Sequence, residues 1–254
     1  MNYKQTFLQA LLIFCKERNQ DIDRLASLSG IPVSQFRSPE QFELANHQVE
    51  ALWKNIIHLS HDELSGLHFG STMQLAALNV VGQIIQTSNT VKDALYQACS
   101  LIHLFTDFYT MDIEEKTKTF TILFRNNKSL DEFPNSRDQM GDFLAAFTLY
   151  ELNGLLLIQP KPVSVGLPTY KKEFDREYTA LFKCQAKKTA YYLLEFPKEF
   201  LQTQIITANY EIQTLLLSQV NQMLNPSTLS GTLSKKIFNY LIANSYLHCN
   251  RSKQ

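Results

Sequence analysis

The chain has 254 residues, 44% of them hydrophobic and 19% charged, which suits one large globular domain or two small ones. Twenty-four Lys and Arg balance twenty-four Asp and Glu, so no bulk field draws the chain to nucleic acid or an anionic membrane. Only eight residues are Gly. That scarcity argues against Gly-rich phosphate loops, and the composition excludes a collagen-like, disordered or disulfide-built chain.

Residues 3–18 have helical periodicity, with Phe7, Leu8, Leu11, Leu12 and Cys15 on one stripe. Gln9 interrupts the apolar run and Lys16-Glu17-Arg18 follows it, so the segment reads as an amphipathic helix and not a signal peptide. Asp21 or Asp23 can cap a second short helix ending at Gly30. Ser34 to Arg37 forms another turn of helix, closed by Ser38-Pro39. A helix over 46–60 turns Val49, Leu52, Trp53, Ile56 and Ile57 inward. A short helix follows Asp62, and another covers 76–86. Thr90-Val91-Lys92-Asp93 is a capping box that opens a long helix with stripe Ala94, Ala98, Leu101 and Phe105. Residues 1–105 are thus predicted to be mostly helical.

The period then changes. Tyr109, Met111 and Ile113 alternate with polar residues, as do Phe120, Ile122 and Phe124, and the polar stretch 114–118 between them predicts an antiparallel hairpin. A helix over 138–158 presents Phe143, Phe147, Tyr150, Gly154 and Leu157, and Pro160 and Pro162 stop it. Val163 to Leu167 reads as a strand, Phe174 to Lys183 as a helix and Thr189 to Phe196 as a strand. The order β-β-α-β-α-β over 106–200 predicts an α+β fold: a helical N-terminal part, then a small antiparallel or mixed sheet with helices packed on one face. Residues 209–224 form a strongly apolar helix, 225–232 a hinge and 233–247 a last amphipathic helix. No apolar run approaches the ~18 residues of a membrane span. Cys15, Cys99, Cys184 and Cys249 form no C-x-x-C pair, which suits a cytoplasmic protein with no membrane role.

Motifs carrying chemistry are scarce. No P-loop, G-x-G-x-x-G, G-x-S-x-G or H-E-x-x-H occurs. His58 and His61 could share a helix face, but a helix end capped onward by Asp62 is the simpler reading than a metal site. Glu114 and Glu115 read as solvated turn residues. His103 stands among apolar residues and reads as a core histidine ahead of a catalytic base. Residues 25–36 fit a helix-turn-helix pattern. Against that reading, residues 1–45 hold as many acidic as basic side chains and the would-be recognition helix carries one Arg and is cut short by Pro39, so a compact helical turn used for packing is the better reading.

Two further features bear on function. Ile212, Leu215, Leu216, Leu217, Val220, Met223 and Leu224 cover more than one face of their helix. The surplus predicts a homodimer centred on Ile212, Leu216, Val220 and Met223, or else a helix packed twice within its own domain. Phe143, Phe147 and Tyr150, facing Tyr109, Phe124 and Tyr192 of the sheet, could enclose a mostly apolar effector site. His103 or Arg125 would then pair an anionic end. An ordinary aromatic core accounts for the same residues.

The order of motifs resembles a known module. Gly30-Ile31 with Ser38-Pro39, Leu52-Trp53, Asp62 with Gly66-Leu67-His68-Phe69-Gly70, Gly82, and Thr87 to Leu95 are similar to the effector-side domain of AraC/XylS-type transcription regulators, in its arabinose-binding-like subgroup. Thr87 to Leu95 stands for that module's S-P-T-L-x-E-A-L helix start. The strand–helix–strand of 162–196, with Tyr178 and Phe182, is similar too. Two departures are Gly166-Leu167-Pro168-Thr169 in place of H-P-x-P and Asn89 in place of Pro. The resemblance implies a ligand-sensing and dimerising module over 1–224, with 225–254 the hinge and first helix of a truncated DNA-binding domain. It implies a small-molecule effector, DNA contact only through the missing C-terminal domain, and no cofactor, metal or enzymatic role. The other readings are a stand-alone DNA binder using 21–37, or an enzyme without a recognisable motif.

Overall fold

The computed structural model describes residues 3–37, 44–156 and 158–224, the side chains of Tyr3, Lys4, Arg37 and 221–224 excepted. The first part is helical. α1 (Tyr3–Glu17) buries the predicted stripe and adds Phe14 to it. α2 (Ile22–Leu28) is capped by Asp21, whose carboxylate accepts from the Arg24 N–H at 3.0 Å. Gly30, at φ +64°, turns the chain into α3 (Val33–Arg37), a helix of only five residues. Leu25 and Ala26 are fully buried, and Asn55 of α4 (Asn46–Ser60) donates to the Ser29 hydroxyl. The helix-turn-helix-like segment is therefore packed onto α4 by its apolar residues.

α4 ends at His61, which takes a left-handed conformation, and Asp62 leads into α5 (Ser65–Gly70). Asp62 accepts from the Leu64 N–H and meets His68 Nδ1 at 2.7 Å. Burial works against the Asp62 charge, but the bonds and charge of His68 and the Leu64 N–H outweigh it and hold its carboxyl below the usual range. The His58 and His61 rings stand 6.5 Å apart, and the described residues contain no group of three His, Cys, Asp or Glu placed to hold a metal. The helix predicted over 76–86 is broken. A 3-10 turn at Leu75–Leu78 and α6 (Val80–Gln86) meet at Asn79, whose positive φ interrupts the ladder. α7 (Val91–Leu101) opens on the predicted capping box, Thr90 and Asp93 exchanging side-chain and backbone bonds.

The sheet has five strands: β1 (Tyr109–Glu115), β2 (Thr119–Asn126), β3 (Ser164–Leu167), β4 (Ala186–Lys188) and β5 (Tyr192–Pro197). Their order is β1-β2-β5-β3-β4, all antiparallel except the parallel β3–β4 edge. β4 is the strand missing from the predicted order, because three residues are too few for alternation to register. The hairpin turn is shorter than expected, so Glu114 and Glu115 lie on β1. Glu114 pairs with Arg125, and Glu115 with Lys92 and Lys198.

α8 (Pro134–Leu155) crosses beneath β2 and β5 and carries α4 and α5 on its other sides. It starts four residues earlier than predicted because the Glu50 carboxylate of α4 accepts from the backbone N–H groups of Asn135 and Ser136, at 3.0 and 2.7 Å. α9 (Asp175–Phe182) packs against β4 and α8. The last described helix, α10 (Tyr210–Leu224), packs on α6, where buried Gln213 donates to the Ile84 carbonyl and the Ser88 hydroxyl. Among the described residues no helix is long and apolar enough to cross a membrane. The predicted hinge at 225–232 and helix at 233–247 lie outside the described residues.

Candidate functional site

The eight residues predicted to line an effector site do not meet in one place. Phe143 and Phe147 stack on each other at 5.1 Å, and Phe143 also meets Phe69 and Phe7, so this stripe of α8 belongs to the helical core. Tyr109, Phe124 and Tyr192 are buried on the sheet side, with the tyrosine rings in edge contact at 5.7 Å. Their hydroxyls donate to the Arg137 and Asp138 carbonyls, and Gly141 lets both rings close onto α8. His103 is exposed in the 3-10 turn after α7, not among core residues. Tyr150 continues the Phe143–Phe147 stripe toward the C-terminal end of α8 and is 40% exposed there. Arg125 is held outside the sheet by Asp112 and Glu114.

A cavity of about 390 Å³ opens beside this packed interface, at the N-terminal half of α8. Asp138, Gln139 and Asp142 of α8 form its floor, one helical turn separating the two carboxylates. Ile57 of α4 with Glu63 and Leu64 of the next loop form one wall; Thr169, Lys171, Phe174 and Tyr178 form the other. Gln139 positions the first wall. Its side chain donates to the Glu63 carbonyl and accepts from the Gly66 N–H at 2.7 Å, and Gly66 lacks the Cβ that would overlap the Gln139 backbone. Lys171 and Glu63 form an ion pair that ties the two walls together.

The chemistry is concentrated on Asp142. The residue is 2% exposed and makes no ion pair among the described residues. Its Oδ1 accepts from the Thr169 hydroxyl at 2.5 Å, and Thr169 in turn accepts from Tyr192. Burial pushes the Asp142 carboxyl up to about 7, against the opposing hydrogen bonds, with the Asp138 charge adding to the rise. Tyr178 is also buried, the Lys171 backbone being the polar group nearest its hydroxyl. Burial pushes that phenol up to about 12. Of the predicted site residues only Tyr192 reaches this place, through Thr169. The others were missed, although one signal was present: Asp142 is a lone acid inside the buried run Gly141 to Ala146.

A smaller cavity, about 170 Å³, lies between α1 and α4 and is lined by Phe7, Leu8, Leu11, Trp53, Phe108 and Met140 among others. It falls below the size usual for ligand sites, whereas the larger cavity lies within that range.

With this fold and cavity in view, residues 20–205 match the family described as the arabinose-binding domain of AraC transcription regulators, N-terminal. The chain belongs to that family. Structurally, this arabinose-binding-type domain is similar to the transcriptional regulator CdpR of Pseudomonas aeruginosa, with a TM-score of 0.60 and 21% identity. The match covers 81% of this chain and 62% of that one, so the chain spans less than two thirds of the regulator's length, and the likeness is one of fold. A comparison with curated proteins finds no match. Family membership makes the chain a regulatory domain of the AraC class, α+β as expected.

Proposed function

We propose that the chain senses a small-molecule effector at the Asp142 cavity and passes the signal to a C-terminal DNA-binding domain through α8 and α10. The observation that carries this reading is a 390 Å³ cavity whose floor includes a buried acid that forms no ion pair among the described residues. The family's description as arabinose-binding supports a small polar effector. α8 is 22 residues long, a rigid rod of roughly 33 Å at 1.5 Å per residue. Its N-terminal half floors the cavity, and at its C-terminal end the Leu155 carbonyl accepts from the Ile206 N–H, in the segment that leads into α10. An effector that shifts α8 therefore acts on α10 through one element with contacts at both ends.

The same reading makes the chain a homodimer through α10. Val220 is buried in the chain's own core, and Gln213 is pinned to α6, so these residues fix the helix to its domain. Ile212 and Leu215 face outward at 46% and 71% exposure, beside exposed Tyr210 and Ile206. The side chain of Met223 lies outside the described residues. The interface proposed is thus Ile212 and Leu215, with half-buried Leu216 at its edge.

A thermal-shift screen of sugars, amines, amino acids and carboxylates tests the effector site. At least one class should raise the melting temperature, and Thr169→Trp, which fills the cavity, should abolish the shift. Ligands that stabilise Thr169→Trp as well as the wild type would place the effector elsewhere, the Trp53 cavity being the next position to probe.

A further inference from the structure

The charged groups around the cavity pair off, with one left over. Glu63 is matched by Lys171. Asp138 is matched by Arg137, whose Nε stands 2.9 Å from its carboxylate. Asp142, the most deeply buried of the three acids, forms no ion pair among the described residues; the Thr169 and Tyr192 hydroxyls are its hydrogen-bond partners, and Lys171, already paired with Glu63, acts on it only at longer range. A buried carboxylate outside any ion pair is costly, and an opposite charge brought within hydrogen-bond reach of it would be held strongly. Phe174 and Tyr178 add aromatic surface to the walls.

We infer that the cavity selects a small organic monocation, a primary ammonium received by Asp142 with its body against Phe174 and Tyr178. This inference rests on the reading of the cavity as the effector site and adds the ligand's charge. A neutral polyol would leave Asp142 uncompensated, and an anion would meet Glu63, Asp138 and Asp142 against the single lining cation, Lys171.

The titration of Asp142 adds a second signature. The groups facing it are Asp138 with Arg137 on α8, Thr169 and the Lys171–Glu63 pair at the rim, Tyr178 of α9 and Tyr192 of β5, with Tyr109 of β1 and Tyr170 behind them. The Tyr109, Tyr178 and Tyr192 phenols are pushed upward by burial and stay neutral, while Glu63 holds Lys171 in its charged form. With its carboxyl near 7, Asp142 ionises between pH 6 and 8, so cation binding should strengthen across that window.

Benzylammonium, benzyl alcohol and benzoate share one ring and differ in charge; D-arabinose is the neutral polyol. Each is titrated into the whole chain, with calorimetry for affinity and NMR shifts for location. Benzylammonium should bind about tenfold more tightly than the alcohol at pH 8, benzoate should not bind, and Asp142→Asn should bring the preference within about twofold. The ammonium's affinity should also rise about tenfold from pH 6 to pH 8 in the wild type, a readout that needs no folded variant. Preferential binding of arabinose, the alcohol or benzoate in the cavity, lost in Thr169→Trp, would overturn the cation inference and leave the effector site standing. Absence of any shift at the cavity with every probe would overturn both.

Discussion

Asp142 shows how one residue can set stability against function. Its carboxyl is raised to about 7 in the folded chain, so folding binds its proton more tightly than the unfolded chain does. The sign follows from linkage: the contribution to stability is fully present below the ordinary carboxylate range and is lost as pH rises through about 7. At pH 8 the empty wild-type cavity therefore carries a penalty on the order of 4 kcal/mol, about 1.4 kcal/mol for each pH unit of the rise. Asp142→Asn should melt higher than wild type at pH 8, with the gap shrinking toward pH 4. A gap independent of pH would show that burial of this charge is not what costs stability. Gly141 is the neighbouring case. A Cβ there would overlap the Tyr192 ring and stand 2.7 Å from the Tyr109 hydroxyl, so Gly141→Ala should destabilise by ~1–3 kcal/mol. Chemical denaturation would check it, and a neutral result would mean that the two rings have room to retreat.

At the scale of the element, α10 separates two kinds of apolar residue that the sequence lists together. Val220 serves the domain's own core, while Ile212 and Leu215 leave a face uncovered. Ile212→Glu with Leu215→Glu should give a monomer in light scattering with the melting temperature little changed. Val220→Glu should unfold the C-terminal part, since a charge at a 2% exposed position has no partner. A double-Glu variant that remains dimeric would move the interface off this helix. The N-terminus of α8 is the other element whose stability is borrowed. Burial works against the Glu50 carboxylate, but its bonds to Ser136 and Asn135 hold it below the usual range. Glu50→Gln should cost about 1 kcal/mol at neutral pH, the difference fading as the solution is acidified and Glu50 of the wild type protonates.

For the whole molecule the decisive property is charge balance. Basic and acidic residues are equal in number overall and within residues 1–45, and phosphate neutralisation supplies much of the affinity for DNA. This 254-residue chain should therefore not shift duplex DNA selectively in a gel assay. A salt-sensitive, sequence-selective shift would reinstate the α2–α3 segment as a reader, with Arg24 the first residue to mutate.

Local physics made much of the molecule legible. The α1 stripe, the Asp21 and Thr90 caps, the Gly30 turn and the β1–β2 alternation each follow from bonds or periodicities within a few residues, so the amino-acid order by itself determined them. The order of these elements carried the AraC-type resemblance for the same reason. What only tertiary structure decided depends on residues far apart in the chain. Glu50 starts α8 from more than eighty positions away. Whether Tyr109 and Tyr192 line a pocket or fill a core was open in the sequence; they pack against α8 because Gly141 admits them. The cavity collects Glu63, Asp142, Thr169 and Tyr178 from four separate segments, and no local pattern reports that an acid in one of them will be buried without a counter-charge. Burial of a charge is a property of the surroundings that folding assembles, which is why Asp142 became a site only in three dimensions.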